Sequence, residues 1–364
     1  MMGVFAGSFI LQMVYWWLVH ARLVFYQPGS SRIKKTPVSI IICAKNEEKN
    51  LAKNLPLVLE QDYPDYEVIV VNDASSDKTA DVLRDLGQQY PHLRTTSIME
   101  NMHIQKGKKL ALTVGIKASR NEWLLLTDAD CSPAGNKWLS SMQRNFSRDT
   151  GIVLGYGAYE RSRGLLNLII RYDTFFIGLQ YLSFALSGFP YMGVGRNLAY
   201  RRDIFFRNRG FASHYELASG DDDLFINEVI RGTGTKVEFR KESHTISDST
   251  RKWTEWYYQK KRHLTTGPRY KPATKFFLGT EILSRILFYA SFILLLANQV
   301  LTPAVLGIFF IRILSTIVVI KLAMTRLNEK YLLLISPLMD FTLPWVYIWM
   351  VFSNYVASKR ARWI

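Results

Sequence analysis

Leu124-Leu125-Leu126-Thr127-Asp128-Ala129-Asp130-Cys131 is an apolar run that stops on two carboxylates one residue apart. Such a run reads as a strand buried on both faces, and the change of polarity at its end puts the acids on the rim of a sheet. Hard oxygen ligands in alternation suit Mg2+ or Mn2+, which keep some waters and complete their shells with substrate phosphates. An acidic turn after a strand also caps helices, so the pair alone leaves a metal seat and a cap both open.

Upstream of this stretch the pattern alternates strand and helix. Residues 38–43 form an apolar strand and residues 46–59 a helix. Residues 67–72 form a second strand, followed by a helix over 76–89 that Ser76 or Asp77 is placed to cap. A third strand over 95–99 and a helix over 108–118 lead to the strand at 123–127. Alternation of this kind predicts a mostly parallel sheet covered by helices, with ligands at the carboxyl ends of the strands. Three strand ends carry polar sets: residues 44–47, 73–77 and 128–130.

The flanks are different in kind. The 364 residues are 48% hydrophobic and 21% charged, with a net charge of +16. Residues 4–19 are apolar, with Tyr15, Trp16 and Trp17 near the end and His20 and Arg22 just after. A cleaved signal peptide would need a basic start and a small-residue cleavage site, so residues 1–26 are expected to be a transmembrane or deeply interfacial helix. Arg22, Arg32, Lys34 and Lys35 place the following linker, residues 27–37, in the cytoplasm by the positive-inside rule. A cytoplasmic catalytic domain is expected over 38–270, and a membrane region over 271–364. Within the former, residues 164–189 form an apolar helix interrupted by Arg171, Asp173 and Gln180, either a core helix or one lying on the bilayer. In the latter, residues 276–297 and 300–320 are long enough to span. Residues 331–356, with Pro337, Asp340 and Pro344, either span or double back; the second option returns the basic tail at 359–362 to the cytoplasm, where Lys321, Arg326 and Lys330 also point. Two cysteines, Cys43 and Cys131, are too few for a disulfide scaffold and fit a reducing compartment. The positive charge beside apolar segments suits anionic lipid head groups and an anionic substrate, and no nucleic-acid motif accompanies it.

Taken in order, IICAKNEEKNL (41–51), EVIVVNDASSDKT (67–79), KGKKLAL (106–112), LLLTDAD (124–130), GVGRNLAYRR (193–202), SGDDDLF (219–225) and QKKRH (259–263) resemble the family 2 inverting glycosyltransferases of the GT-A fold. The resemblance covers about residues 38–267 and extends to membrane-integral glycolipid glycosyltransferases and polysaccharide synthases. It implies an α/β GT-A catalytic domain joined to α-helical transmembrane segments, and a divalent ion, Mg2+ or Mn2+.

The resemblance also distributes roles. Glu47 and Asp73 are placed for the base and ribose of the nucleotide, where carboxylates accept from N–H and hydroxyl groups; a turn and helix cap is the alternative for Asp73. Lys108 resembles the basic residue near the nucleotide. Asp128 and Asp130 correspond to the metal and nucleotide ligands, Asp130 the direct one. The QKKRH stretch resembles a Gln-x-x-Arg-Trp motif, so Gln259 is expected at the nucleotide and Arg262 as a cation for the leaving group; His263 stands where the motif has tryptophan, which weakens an aromatic platform for a growing polymer. The four aromatics Trp253, Trp256, Tyr257 and Tyr258 stand either with that platform or in an interfacial belt. The acidic triplet aligns Asp221 with the general base, and Gly220 in place of the usual Glu keeps Asp222 as a second choice. Adjacent carboxylates repel, which raises at least one pKa toward neutrality. The expected activity is transfer from a nucleotide diphosphate sugar, first of all a UDP-sugar, to a lipid or lipid-linked saccharide, with a processive polysaccharide synthase as the alternative.

Overall fold

The computed structural model describes residues 1–29, 35–99 and 107–361, with side chains through residue 356. Lys106, Arg32, Lys34, Arg362 and residues 30–34 of the linker lie outside the described residues, as do the side chains of the basic tail. The chain divides into two compact units, one of residues 28–160 and 190–249, the other of residues 1–27, 161–189 and 250–364.

The first unit is built on a seven-stranded sheet. Its strands, with those of a smaller sheet, are β1 (Val38–Ala44), β2 (Tyr66–Asp73), β3 (Leu93–Ile98), β4 (Trp123–Asp128), β5 (Cys131–Pro133), β6 (Ile152–Gly155), β7 (Gly157–Tyr159), β8 (Leu198–Arg201), β9 (Thr235–Glu238) and β10 (Thr245–Ser247). The large sheet runs β3-β2-β1-β4-β8-β6-β9, and β5, β10 and β7 form the small one. β1 to β4 are parallel, while β8 is antiparallel to β4 and β6. The period of two along each strand divides the core. Ile40, Ile42, Val68, Val70 and Leu125 pack with Leu51, Leu55 and Val58 of the helix Glu48–Leu59. Ile69 and Val71 face Ala111 of the helix Lys108–Ala118 on the other side. That helix lies close because Gly115 has no side chain: a Cβ there would come within 2.7 Å of Ile41 Cγ2.

The chain passes from β1 leftward through β2 to β3, then returns to the other side of β1 as β4. Strand order therefore reverses between β1 and β4, the point at which open α/β sheets leave a crevice at the carboxyl ends. The antiparallel β8 adds to it, because the pairing Leu126↔Leu198 delivers the 193–197 loop to the end of β4.

The second unit is helical: Met2–Phe25 with a π-turn at Tyr15–His20, then Leu165–Leu186, Trp253–His263, Pro272–Ala297, Thr302–Arg326 and Ser336–Ala361. Three of these, of 24, 26 and 25 residues, are long and apolar enough to cross a membrane: Met2–Phe25, Pro272–Ala297 and Thr302–Arg326. Ser336–Ala361 is one helix that runs through Pro344. Residues 161–189 and 250–270, expected within the catalytic domain, group with these helices instead. The reason is where their side chains bury: Leu166, Ile170, Phe175, Leu179 and Leu182 are covered, so Leu165–Leu186 is a core helix of this unit. Its Asp173 pairs with Lys260 and accepts from Tyr347. A second polar cluster joins four helices: Arg312 pairs with Asp340 and donates to Gln12 Oε1 at 2.8 Å, Gln12 donates to Ser284 Oγ at 2.7 Å, and Tyr289 donates to Asp340 Oδ2 at 2.5 Å.

Candidate active site

The acids quoted at the outset sit at the end of β4, and the structure links them to the acidic triplet through one lysine. Lys108 is the first residue of its helix, entered from Gly107. Its Nζ lies 2.7 Å from Asp128 Oδ1 and 3.2 Å from Asp221 Oδ2. Burial pulls its ammonium down, but Asp128, Asp221 and Asp222 outweigh this and hold it well above the ordinary lysine value. Burial pushes the Asp221 carboxyl up, and Lys108 more than reverses this, leaving it below the usual range. Asp222, one residue on, goes the other way: burial and its neighbours Asp221 and Asp223 push it up to about 7.

The two carboxylates are also bound differently. Asp222 caps the helix Asp223–Val229 by accepting from the Asp223 N–H at 2.7 Å, and its other oxygen accepts from the Gly195 N–H, also at 2.7 Å. A Cβ at Gly195 would make ordinary contact with Asp222 Oδ2 and Lys108 Nζ, each at 3.4 Å. Gly220, where the family resemblance expects a glutamate, has φ of +104°, and a Cβ would approach Leu224 Cδ1 to 2.7 Å. The local turn into the triplet thus requires glycine.

Ligand atoms of Asp128, Asp130 and Cys131 lie within 4.8 Å of one another. The Cys131 thiol is pushed up by burial and by Asp128 and Asp130, and its Sγ is 2.9 Å from Ser247 Oγ, so it remains a protonated thiol. Burial and Asp128 also raise the Asp130 carboxyl, against Arg196. Two close carboxylates at the mouth of a crevice fit a hard divalent ion, whose charge would relieve their mutual repulsion.

The nucleotide-side candidates lie at the ends of β1 and β2. Lys45 Nζ is 3.7 Å from Asp73 Oδ2. Asn46 and Ala74 hold left-handed backbone, φ 57° and 49°, and the two turns are tied together: the Asn46 N–H donates to Ser75 Oγ at 2.9 Å and the Ser76 N–H to Asn46 Oδ1 at 2.8 Å. Glu47 accepts from Asn50 Nδ2 at 2.6 Å and adds to the negative field at Asp130. Asp77, one of the two residues expected to cap here, accepts from the Thr79 N–H at 3.0 Å, and the helix Thr79–Gln89 starts three residues later than expected; Asp73 instead faces Lys45.

Glu47, Asp73, Lys108, Asp128, Asp130, Asp221 and Asp222 therefore share one unit and one rim. Gln259, half-buried, and Arg262, exposed, lie on the helix Trp253–His263 of the other unit. Of the nearby aromatics, Trp256 is buried while Trp253 and Tyr258 are exposed.

Three supporting residues were not legible as such. Lys109, buried, donates to the carbonyls of His214, Leu217 and Ser219 at 2.6, 2.9 and 2.7 Å, clamping the loop that leads into the triplet. Asn197, fully buried, donates to the carbonyls of Tyr156 and Ser243 and accepts from Trp138 Nε1. Arg196 donates to Gly157 O at 3.1 Å and stacks 4.4 Å from the Tyr159 ring. These partners lie far apart in sequence, where no local pattern announces them.

A parallel sheet with its order reversed between β1 and β4, an antiparallel extension through β8, and an acidic rim define an α/β domain of the GT-A fold. Residues 39–207 match the family model described as glycosyl transferase family 2. Among curated relatives, the probable glycosyltransferase YdaM of Bacillus subtilis is 26% identical over 242 residues, 63% of this chain and 55% of that protein. A dolichyl N-acetyl-alpha-D-glucosaminyl phosphate 3-beta-D-2,3-diacetamido-2,3-dideoxy-beta-D-glucuronosyltransferase of Methanococcus voltae is 26% identical over 227 residues, 60% of this chain and 64% of that one. The chain thus spans about half to two thirds of the length of these two relatives. Among solved structures, the mannosyltransferase PcManGT of Pyrobaculum calidifontis, in complex with GDP-Man and Mn2+, aligns with a TM-score of 0.59 at 18% identity, covering 90% of this chain and 97% of that one.

Proposed function

We propose that this chain is a membrane-bound inverting glycosyltransferase that moves a sugar from a nucleotide diphosphate donor to a lipid or lipid-linked saccharide. The observation that carries the reading is the connected set Asp130, Asp128, Lys108 and Asp221 in the crevice between β1 and β4. Glu47 and Asp73 bind the base and ribose, with a UDP-sugar as the first donor to test. Asp128 and Asp130 hold the ion, Mg2+ or Mn2+, which when bound neutralises charge on the diphosphate. Gln259 and Arg262 keep, as proposals, the roles that the family resemblance implies.

Asp221 is the general base. Both oxygens of Asp222 are engaged by backbone N–H groups, which suits it to holding the Gly195 loop. Asp221 is instead paired with a lysine for which the incoming diphosphate competes. As Lys108 turns toward the donor, Asp221 loses its cation and its affinity for a proton rises. The acceptor oxygen attacks the anomeric carbon from the face opposite the diphosphate, its proton passes to Asp221, and the bond from that carbon to the phosphate oxygen breaks. An α-linked donor then yields a β-glycoside.

Three helices of spanning length support a bilayer location, and the positive-inside rule applied to Arg22, Lys321 and Lys330 supports a cytoplasmic side for the α/β unit. The name of the Methanococcus voltae relative supports a lipid-linked acceptor. Membranes bearing the protein, screened with UDP-, GDP- and other nucleotide sugars plus Mn2+ or Mg2+, are expected to release nucleotide and form a short glycolipid. Failure to release nucleotide from any of the donors under either metal would overturn the proposal, and long polymer without added lipid would replace the lipid acceptor by processive synthesis.

A further inference from the structure

The last turns of Thr302–Arg326 and the segment after it line a half-open cavity of about 550 Å³. That volume lies within the range of small-molecule sites, roughly 300–1,000 Å³. Its lining combines Lys321, Asn328 and Lys330 with Met324, Leu333 and Leu334. The acid in its wall, Glu329, is already neutralised: it is buried and paired with Arg171 at 2.5 Å, and Arg171 also donates to the Lys330 carbonyl at 3.2 Å. Lys321 and Lys330 are exposed, and among the described residues neither forms an ion pair with a carboxylate. Left-handed backbone at Asn328 and Tyr331, φ 53° and 66°, shapes the turn. Tyr331 remains 65% exposed under the Arg161 guanidinium, 3.8 Å from its ring centroid, and Leu334 is 96% exposed.

An exposed leucine and tyrosine beside unpaired lysines, at the end of a helix long enough to span, are poorly matched to water alone. They match an amphiphile that has an anionic head and an apolar stem. We propose that this cavity binds the phosphate head of an anionic phospholipid from the surrounding bilayer. Lys321, Lys330 and the Asn328 amide hold the phosphate oxygens, while Met324, Leu333 and Leu334 cover the glycerol and the first acyl carbons. This site is separate from the donor crevice, which belongs to the other unit, and it rests on the membrane location proposed above.

The test uses the full chain in nanodiscs of phosphatidylcholine, with and without phosphatidylglycerol, extracted into detergent and weighed by native mass spectrometry. One phosphatidylglycerol is expected to stay bound to the wild type. The double variant Lys321→Gln/Lys330→Gln should bind it roughly thirtyfold more weakly, as the loss of two surface cations near a lipid phosphate implies. Leu334→Asp should weaken retention without removing either lysine. Equal retention by wild type and double variant, or equal retention of phosphatidylcholine, would overturn the site. Equal retention of glycerol phosphate supplied in place of phospholipid would overturn the lipid as occupant. A chain that fails to float with vesicles of either composition would instead refute the membrane location, which separates the two claims.

Discussion

Replacing Lys108 by Met removes a side chain that touches both halves of the candidate machinery. Its ammonium makes two charged contacts, at 2.7 Å to Asp128 and 3.2 Å to Asp221. A hydrogen bond to a charged group contributes about 1.5–3 kcal/mol, and a side chain 38% exposed belongs at the lower end because solvent screens it. Two such contacts transferred to a diphosphate amount to about 3 kcal/mol, or roughly a hundredfold in kcat/KM. The variant also has a signature in pH. Asp221 is held low by Lys108 against its own burial, so removing the cation raises its pKa. A base works ionised, and the acid limb of kcat/KM therefore moves toward neutral pH. Nucleotide release followed across pH 4–9 measures both effects, and Lys108→Arg, which keeps the charge, should leave the acid limb in place even if the rate falls. A Lys108→Met enzyme within about threefold of wild type, with an unmoved acid limb, would refute this role for the lysine.

Asp222 makes a prediction about stability. Its carboxyl is raised to about 7, above its unfolded value of about 3.9, so its contribution is fully present below about pH 4 and is lost as pH rises through 7. Thermal unfolding should show wild type losing more stability between pH 5 and 8 than Asp222→Asn; a parallel decline would contradict the raised pKa. Lys109→Met leaves three carbonyls without their ammonium, at a cost of about 3 kcal/mol or more, and should open residues 214–219 to limited proteolysis. Unchanged cleavage there would show that the clamp is dispensable. In the helical unit, Asp340→Asn breaks the buried pair with Arg312 and should lower the unfolding midpoint in detergent by the equivalent of about 3–5 kcal/mol.

The repeating strands and helices of the α/β unit were readable because burial on both faces imposes continuous apolar runs such as 68–71 and 124–126, and because turns after parallel strands collect polar residues. The helix Lys108–Ala118 falls where the sequence places it, and β2 and β4 each differ by a residue or so at their ends. The division of the chain was less readable. Residues 164–189 carry apolar residues nearly all round, a pattern equally suited to a sheet-packed helix and to a helix among helices. Their polar members, Arg171 and Asp173, find partners in Glu329 and Lys260, more than 80 residues away. Separation in sequence, from 41 to 110 residues, also hid Lys109 and Asn197: each looks locally like an ordinary helix or loop residue, and its importance comes from carbonyls contributed elsewhere. The adjacent acids 221–223 were visible as a cluster, but only the contacts to Lys108 and Gly195 separate their roles.

The central claim is that the acids at the end of β4 seat a divalent ion for a nucleotide-sugar donor. Its most direct test is Mn2+-dependent nucleotide release by wild type and Asp130→Ala, each titrated with metal at saturating donor. Wild type is expected to rise from a metal-free baseline to a plateau, with Asp130→Ala lower by about a thousandfold and unresponsive to added Mn2+, as loss of charge stabilisation at a leaving group implies. Asp130→Ala with wild-type turnover, or a wild type equally active in excess chelator, would contradict the account.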